Sequence, residues 1–280
     1  MTGYDQGRLG CCGQIYQQAA AQDRAVLVGY LPVGFPDVPT SIAAMRAAIE
    51  GVDGLGCDLL EIGMPYSDPV MDGPVIQRAA TAALQRGVRT RDLFAAVEQV
   101  AASGARPLTM TYWNLVERYG VDRFARDLAA AGGAGLITPD LTPDEAQEWI
   151  EASDRYRLDR VFLVAPSSSD ERIRTTTASC RGFVYATAVM GVTGTRSQVS
   201  AAAPRLVSRV RQLGSAVPVG VGLGVSNGQQ AATLARHADG VIVGSALVKT
   251  LLAADAAQTP DDTRALRELV GDLARAVRTR

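Results

Sequence analysis

The sequence contains a single histidine, His237, and four cysteines, which are Cys11, Cys12, Cys57 and Cys180. No two of the cysteines have Cys-x-x-Cys spacing, and one histidine adds little to a ligand set, so we expect no zinc site. A single histidine also argues against a catalytic triad. We therefore predict reduced thiols and no metal.

The chain also lacks an excess of charge of either sign, because its formal net charge is −1. It has no basic run of the kind that binds nucleic acid, and the arginines between Arg275 and Arg280 fit the C-terminal end of a helix. No apolar run reaches the length that spans a membrane, and the N-terminus shows no signal-peptide pattern. These absences favour a cytoplasmic protein that binds neither nucleic acid nor membrane.

What the sequence does contain is a regular alternation of short apolar runs and helical segments over its 280 residues. We predict an N-terminal helix at 9–22 and a helix at 143–153 with Thr142 as its N-cap. The eight predicted strands are 26–30, 58–63, 107–111, 135–138, 160–164, 183–186, 218–222 and 241–243.

Eight strands, each followed by a helix, predict an α/β fold, a (β/α)8 TIM barrel with an extra N-terminal helix. No linker or change in composition divides the chain, so 1–280 is expected to be a single TIM-barrel domain. The alternative is a doubly wound open sheet. That fold would place a Gly-x-Gly-x-x-Gly motif after the first strand, and the stretch from Tyr30 to Gly34 does not contain one.

The segment from Glu61 to Pro74 contains the strongest indication of catalysis. Glu61 lies within the apolar run Leu-Leu-Glu-Ile, where burial would raise the pKa of its carboxyl group and make it a proton donor near neutral pH. Asp72 follows in a loop rich in glycine and proline. Asp68 and Asp72 are also ordinary turn formers, so a structural role is the alternative for each.

Glycine-rich loops follow the last three predicted strands, at 191–194, 222–224 and 244–246. Glycine lets backbone N–H groups approach an anion, and the loops after strands seven and eight of a barrel often bind phosphate. The alternative is that glycine simply ends these strands. Three such loops on one edge favour a phosphorylated substrate.

These motifs together resemble the α subunit of tryptophan synthase. The similarity extends from Tyr30 to the last helix, and it is most specific in the segment 61–74, in 191–194 and in the sequence Gly-Ser-Ala-Leu-Val-Lys at 244–249. The resemblance implies retro-aldol cleavage of indole-3-glycerol phosphate to indole and glyceraldehyde 3-phosphate, with no cofactor in this chain. It also implies a β subunit that carries pyridoxal phosphate, in an α2β2 heterotetramer.

The resemblance assigns roles to individual residues. Glu61 matches the acid–base glutamate and Asp72 the second catalytic carboxylate, while Tyr185 matches a tyrosine beside the glutamate. Four residues match positions that line the indole pocket: Tyr30, Tyr112, Ile137 and Leu223. A role in packing is an equally good interpretation of each. Residues that match the phosphate site are Gly194, Gly224, Gly244 and Ser245. Thr193 matches a threonine that contacts the catalytic aspartate.

One stretch departs from the family pattern, because Ala188-Val-Met190 stands where many members have a polar residue and an arginine. Two other functions stay open on the residues alone. One is a free-standing lyase that releases indole, and the other is an inactive barrel that activates a β chain. The presence of both Glu61 and Asp72 argues against the inactive barrel.

Overall fold

The computed structural model describes Gly7 and residues 9–187, 202–222 and 224–279. Within these residues, parallel strands form one sheet in the order β5-β4-β3-β2-β1-β9-β8-β7-β6. The strands are β1 Val26–Pro32, β2 Leu59–Gly63, β3 Pro107–Met110, β4 Gly135–Ile137, β5 Asp159–Val161, β6 Leu163–Val164, β7 Val184–Thr187, β8 Val219–Gly222 and β9 Gly240–Val243.

The two ends of this sheet are halves of one strand, because Phe162 alone separates β5 from β6. β5 pairs with β4, and β6 pairs with β7. The Phe162 carbonyl still accepts a hydrogen bond from the Tyr185 N–H at 3.0 Å. The nine segments therefore form a barrel of eight strand positions, and the predicted (β/α)8 fold is confirmed.

Helices surround the barrel. They are α1 Gly10–Ala21, α2 Val38–Glu50, α3 Pro74–Gln85, α4 Thr90–Ala101, α5 Trp113–Tyr119, α6 Val121–Ala130, α7 Gln147–Arg155, α8 Asp170–Ser179, α9 Ala202–Gln212, α10 Gly228–Ala235, α11 Ser245–Ala256 and α12 Arg264–Val277. Side-chain caps begin several of them: the Asp37 carboxylate accepts the Thr40 N–H at 2.8 Å, and the Asn227 side chain accepts the Gln230 N–H at 3.0 Å. In the part of the chain that is described, no helix combines the length and apolarity needed to cross a membrane.

Two local features differ from the sequence prediction: the N-cap at Thr142 was wrong, and helix α5 was missed. The helix expected at 143–153 begins as a 3-10 turn, Pro143–Glu145, before α7, and the Thr142 hydroxyl bonds the Glu145 side chain rather than capping a backbone N–H. Helix α5 was not predicted. Its first N–H, from Trp113, is bonded by the carboxylate of Asp140, which lies 27 residues away and gives no local signal.

The N-terminal helix closes the lower end of the barrel, opposite the carboxyl ends of the strands. Tyr16 of α1 is 2% exposed, and its ring centroid lies 5.2 Å from that of Phe183. Its hydroxyl lies against the backbone of two strands, where a Cβ added to Gly220 or Gly240 would come within 2.8 or 2.6 Å of the Tyr16 oxygen. Glycine at these positions therefore makes room for the tyrosine.

This packing predicts that Gly240→Ala destabilises the chain by about 1–3 kcal/mol, because the added methyl group overlaps the Tyr16 ring. Gly271→Ala is the matched control. Gly271 lies within α12, and a Cβ there would be 3.4 Å from Val52, so alanine should be neutral or stabilising by up to about 1 kcal/mol. Urea unfolding of both variants measures the difference. Equal free energies of unfolding would contradict the packing argument.

Candidate active site

A cavity of about 320 Å³ opens at the carboxyl ends of the strands. Residues that the sequence predicted for the site and that line this cavity are Tyr30, Glu61, Asp72, Tyr185, Gly224, Gly244 and Ser245. Other residues that line it are Met71, Gly73 and Gly222, which lie in segments that the sequence predicted for the site, and Ile76, Met110, Leu163, Thr187 and Ile242, which were not predicted. The cavity thus brings together the two carboxylates and the two late glycine loops, which are far apart in the sequence.

Glu61 is the most deeply buried acid of the cavity, with 1% of its surface exposed. It lies in the middle of β2, beside Tyr30 of β1 and Leu108 of β3 in the strand register. Its Oε1 atom has no hydrogen-bond partner among the described residues. Burial alone raises the pKa of Glu61 from its ordinary value of 4.5 to about 8. Glu61 is therefore a protonated acid at neutral pH.

Asp72 lies in the loop between β2 and α3 and is only partly buried. Burial raises the pKa of its carboxyl group, and the Tyr112 hydroxyl opposes the rise. The loop is held by two hydrogen bonds: the Met71 N–H donates to the Tyr112 hydroxyl at 3.0 Å, and the Gln77 amide donates to the Asp72 carbonyl at 2.8 Å. Two carboxyl groups in such different environments can take the separate roles of proton donor and anion.

Two tyrosines, Tyr30 and Tyr185, line the cavity together with Glu61, and each packs against a glycine. A Cβ on Gly63 would overlap the Tyr30 ring, and a Cβ on Gly222 would overlap the Tyr185 ring. Burial raises the pKa of both hydroxyl groups well above the ordinary value, and the charge of Glu61 adds to the effect. Both phenols are therefore neutral at physiological pH. The role of Tyr185 in orienting Glu61 stays a prediction.

Another part of the cavity lining is suited to an anion. Gly244 and Ser245 begin helix α11, which has no acidic residue in its first turn and no side-chain cap at its N-terminus. The backbone N–H groups of that turn are thus available to a ligand, and the helix dipole favours negative charge there. Gly224 has a backbone φ of 70°, a conformation that glycine adopts without strain.

Other predicted residues lie elsewhere. Tyr112 is 5% exposed and supports the Met71 loop, and Ile137 is fully buried in the apolar interior of the barrel. Neither lines the cavity. Thr193, Gly194 and Leu223 lie outside the described residues. Met110 was missed although the sequence carried a signal: it lies two positions beyond Leu108, on the same face of β3.

Two other depressions, of about 480 and 530 Å³, lie on the outer surface of the described structure. The first is lined by Arg89, Arg118 and Asp68 among others, and the second by Arg78 and Lys249. The one carboxyl group among their described lining residues, that of Asp68, is exposed to solvent. The smaller cavity, which contains Glu61, is therefore the better candidate for catalysis.

The raised pKa of Glu61 predicts a specific pH dependence of stability. Between its ordinary pKa of 4.5 and about 8, the folded chain keeps the proton that the unfolded chain loses, so the free energy of unfolding falls as pH rises. Glu61→Gln removes this term. We expect the free energy of unfolding of the variant, minus that of the parent, to rise by about 1.4 kcal/mol per pH unit from pH 5 to pH 8. Urea unfolding at each pH measures this difference. Exposed Glu117→Gln is the control, and a constant difference for Glu61→Gln would refute the buried acid.

Comparisons with known proteins agree with this geometry. The family model described as "Tryptophan synthase alpha chain" matches residues 16–278. The tryptophan synthase alpha chain of Salinispora tropica is 62% identical over 267 residues, which are 95% of this chain and 97% of that relative. The Mycobacterium tuberculosis chain is 56% identical over 278 residues, 99% of this chain and 98% of its own length.

Solved structures show the same relationship. A structure of tryptophan synthase from M. tuberculosis matches with a TM-score of 0.87 and 57% identity, covering 96% of this chain and 98% of that one. The tryptophan synthase α2β2 complex of Pyrococcus furiosus matches with a TM-score of 0.81 and 32% identity, covering 89% and 98%. With its barrel, its cavity and its two carboxylates, the chain belongs to the tryptophan synthase alpha chain family.

Proposed function

We propose that this chain is a lyase that cleaves indole-3-glycerol phosphate into indole and D-glyceraldehyde 3-phosphate. The observation that carries the proposal is the protonated, buried Glu61 in a cavity that is also lined by the N-terminus of α11. A substrate with a phosphate at Gly224, Gly244 and Ser245 would extend across the cavity toward Glu61. Family membership supports the same reaction.

The reaction breaks the bond between indole C3 and C3′ of the glycerol chain. In the proposed mechanism Glu61 donates its proton to indole C3, and the carboxylate thus formed accepts the proton of the C3′ hydroxyl group. C3′ becomes the aldehyde carbon, and Glu61 ends in the state in which it began. Asp72, held in the loop by the Tyr112 and Gln77 hydrogen bonds, stays ionised and stabilises the positive charge that develops near the indole nitrogen.

The sequence limits which aldolase chemistry is possible. Lys249 is the sole lysine of the 280 residues, and it lies on α11 in the surface depression beside Arg78 rather than in the Glu61 cavity. A Schiff base between a lysine and the substrate carbon therefore has no residue in the cavity to form it. Proton transfer by Glu61 is the remaining route that the cavity lining offers.

A β subunit is the proposed partner. Val70 and Met71 of the Asp72 loop are 77% and 51% exposed, and they are the large apolar side chains most open to solvent in the described structure. Solved neighbours include an α2β2 complex, which supports a heterotetramer here. Pyridoxal phosphate would belong to that partner, and this chain would use no cofactor of its own. Cytoplasmic location stays a prediction from the sequence.

Substitution of the two carboxylates tests the mechanism. Glu61→Gln keeps the shape of the side chain but cannot exchange the proton, so we expect cleavage to fall by about 10² or more with folding intact. Asp72→Asn should also impair turnover, because a neutral amide does not stabilise positive charge. Asp53→Asn, at an exposed turn, is the control.

The assay is steady-state cleavage of indole-3-glycerol phosphate by the lone chain, with circular dichroism as the check on folding. Normal turnover by a folded Glu61→Gln chain would remove Glu61 from the mechanism. Loss of turnover in Asp53→Asn would show that the assay reports folding rather than chemistry.

Titration with a β subunit tests the partnership. A partner that covers Val70 and Met71 would order the loop that carries Asp72. If the catalytic conformation is scarcely populated in the lone chain, a partner that binds it about 1.4 kcal/mol more tightly raises its population, and with it the cleavage rate, about tenfold. We expect at least that acceleration when a tryptophan synthase β chain is added, with indole passed on rather than released. Val70→Asp should keep the turnover of the lone chain and lose the acceleration. Fast turnover that the partner does not change would favour the free-standing lyase.

A further inference from the structure

A cluster of three potential metal ligands lies at the lower end of the barrel, away from the active-site cavity. Cys11 and Cys12 belong to the first turn of α1, and Asp159 begins β5. One ligand atom from each residue, the two sulfurs and a carboxylate oxygen, lies within 4.8 Å of the others. Two neighbouring cysteines and an acid 148 positions after Cys11 form no recognisable sequence motif, and the cysteine spacing predicted no metal site here.

Asp159 is the unusual member of the cluster, because a carboxylate with no exposed surface needs strong compensation. Its Oδ2 atom accepts the Cys12 N–H at 2.7 Å and the Cys11 thiol at 3.6 Å. Its Oδ1 atom has no hydrogen-bond partner among the described residues, and the nearest cation, Arg181 Nε, is 3.8 Å away. The carboxylate thus has one oxygen, Oδ1, without a hydrogen-bond donor in the described part of the chain, while Oδ2 contacts the cysteine pair.

The distance between the Cys11 sulfur and the Asp159 carboxylate fits two ligands of one tetrahedral ion. With a Zn–S distance of about 2.3 Å and a Zn–O distance of about 2.1 Å, a sulfur and an oxygen ligand lie about 3.6 Å apart. The observed distance between Cys11 Sγ and Asp159 Oδ2 is 3.6 Å. The Ala134 carbonyl oxygen is also 3.6 Å from Cys11 Sγ and can complete four-coordination. Cys11 is partly exposed and offers a path for the ion.

The charges also balance. Two thiolates and one carboxylate carry three negative charges, while a divalent cation and the neighbouring Arg181 carry three positive charges. An ion would replace the two thiol protons, which leave to solvent as the S–H bonds break and the metal–sulfur bonds form.

We propose that Cys11, Cys12 and Asp159 bind one thiophilic divalent cation, Zn²⁺ or a close analogue. The ion joins the first turn of α1 to the start of β5 and so fastens the helix whose Tyr16 closes the barrel. Its role is structural, since the cavity that contains Glu61 lies at the other end of the strands. Binding to the folded chain alone stabilises that chain by mass action.

The test uses the full-length, untagged chain, kept reduced, with Cd²⁺ as the probe. We expect an ultraviolet cadmium–thiolate absorption band that saturates at one equivalent of Cd²⁺ per chain. At a free Cd²⁺ concentration 100 times its Kd, the unfolding equilibrium constant should fall about 100-fold. Cys11→Ser and Cys12→Ser should lose the band, whereas Cys57→Ser, which changes a buried cysteine elsewhere, should keep it.

Two results would overturn the site: no saturable band in the parent, or a band of full intensity in Cys11→Ser, whatever Cys57→Ser shows. If Cys12→Ser fails to fold, the partly exposed Cys11→Ser decides the question alone. Asp159→Asn should weaken Cd²⁺ binding while leaving the sulfur band in place at higher Cd²⁺ concentration. Unchanged affinity in that variant would show that the carboxylate is not a ligand.

Discussion

The burial of one carboxyl group inside an apolar barrel is the constraint on which the site depends. Glu61 lies in the middle of β2 with 1% of its surface exposed, and the described cavity lining contains no basic side chain. Its proton is therefore held by desolvation rather than released to an ion pair. The neutral tyrosines that line the cavity add no charge near Glu61, and Asp72 is less buried than Glu61, so the two carboxyl groups have different environments.

The two ends of the barrel carry different tasks. At the carboxyl ends, the loops and the first turn of α11 leave backbone groups open to a ligand. At the other end, α1 fills the barrel with Tyr16, and Asp159 bonds the backbone of its first turn. This division is general for barrels, in which stability depends on one face and chemistry on the other. A substitution at the α1 end should therefore lower stability, whereas a substitution at the carboxyl ends of the strands should lower catalysis.

Local sequence predicted most of the fold because each strand was a short apolar run followed by a helical segment. It also indicated that Glu61, an acid within Leu-Leu-Glu-Ile, would be buried, and Glu61 is indeed buried and lines the cavity. It did not identify α5, whose start depends on Asp140, or the break at Phe162, because both arise from contacts between distant residues. It left Tyr112 as either a pocket residue or a packing residue, and it did not show the hydrogen bond from the Met71 N–H by which Tyr112 supports the loop before Asp72.

The glycine–tyrosine pairs of the barrel have a consequence for how such a chain can change over time. Tyr30 packs on Gly63, Tyr185 on Gly222, and Tyr16 on Gly220 and Gly240. A larger residue at any of these glycines collides with its ring, and a smaller residue in place of the ring leaves a void. Substitution of either partner alone is therefore destabilising. Among descendants of this sequence the members of each pair should therefore be replaced together or retained together, which makes them correlated positions within the family.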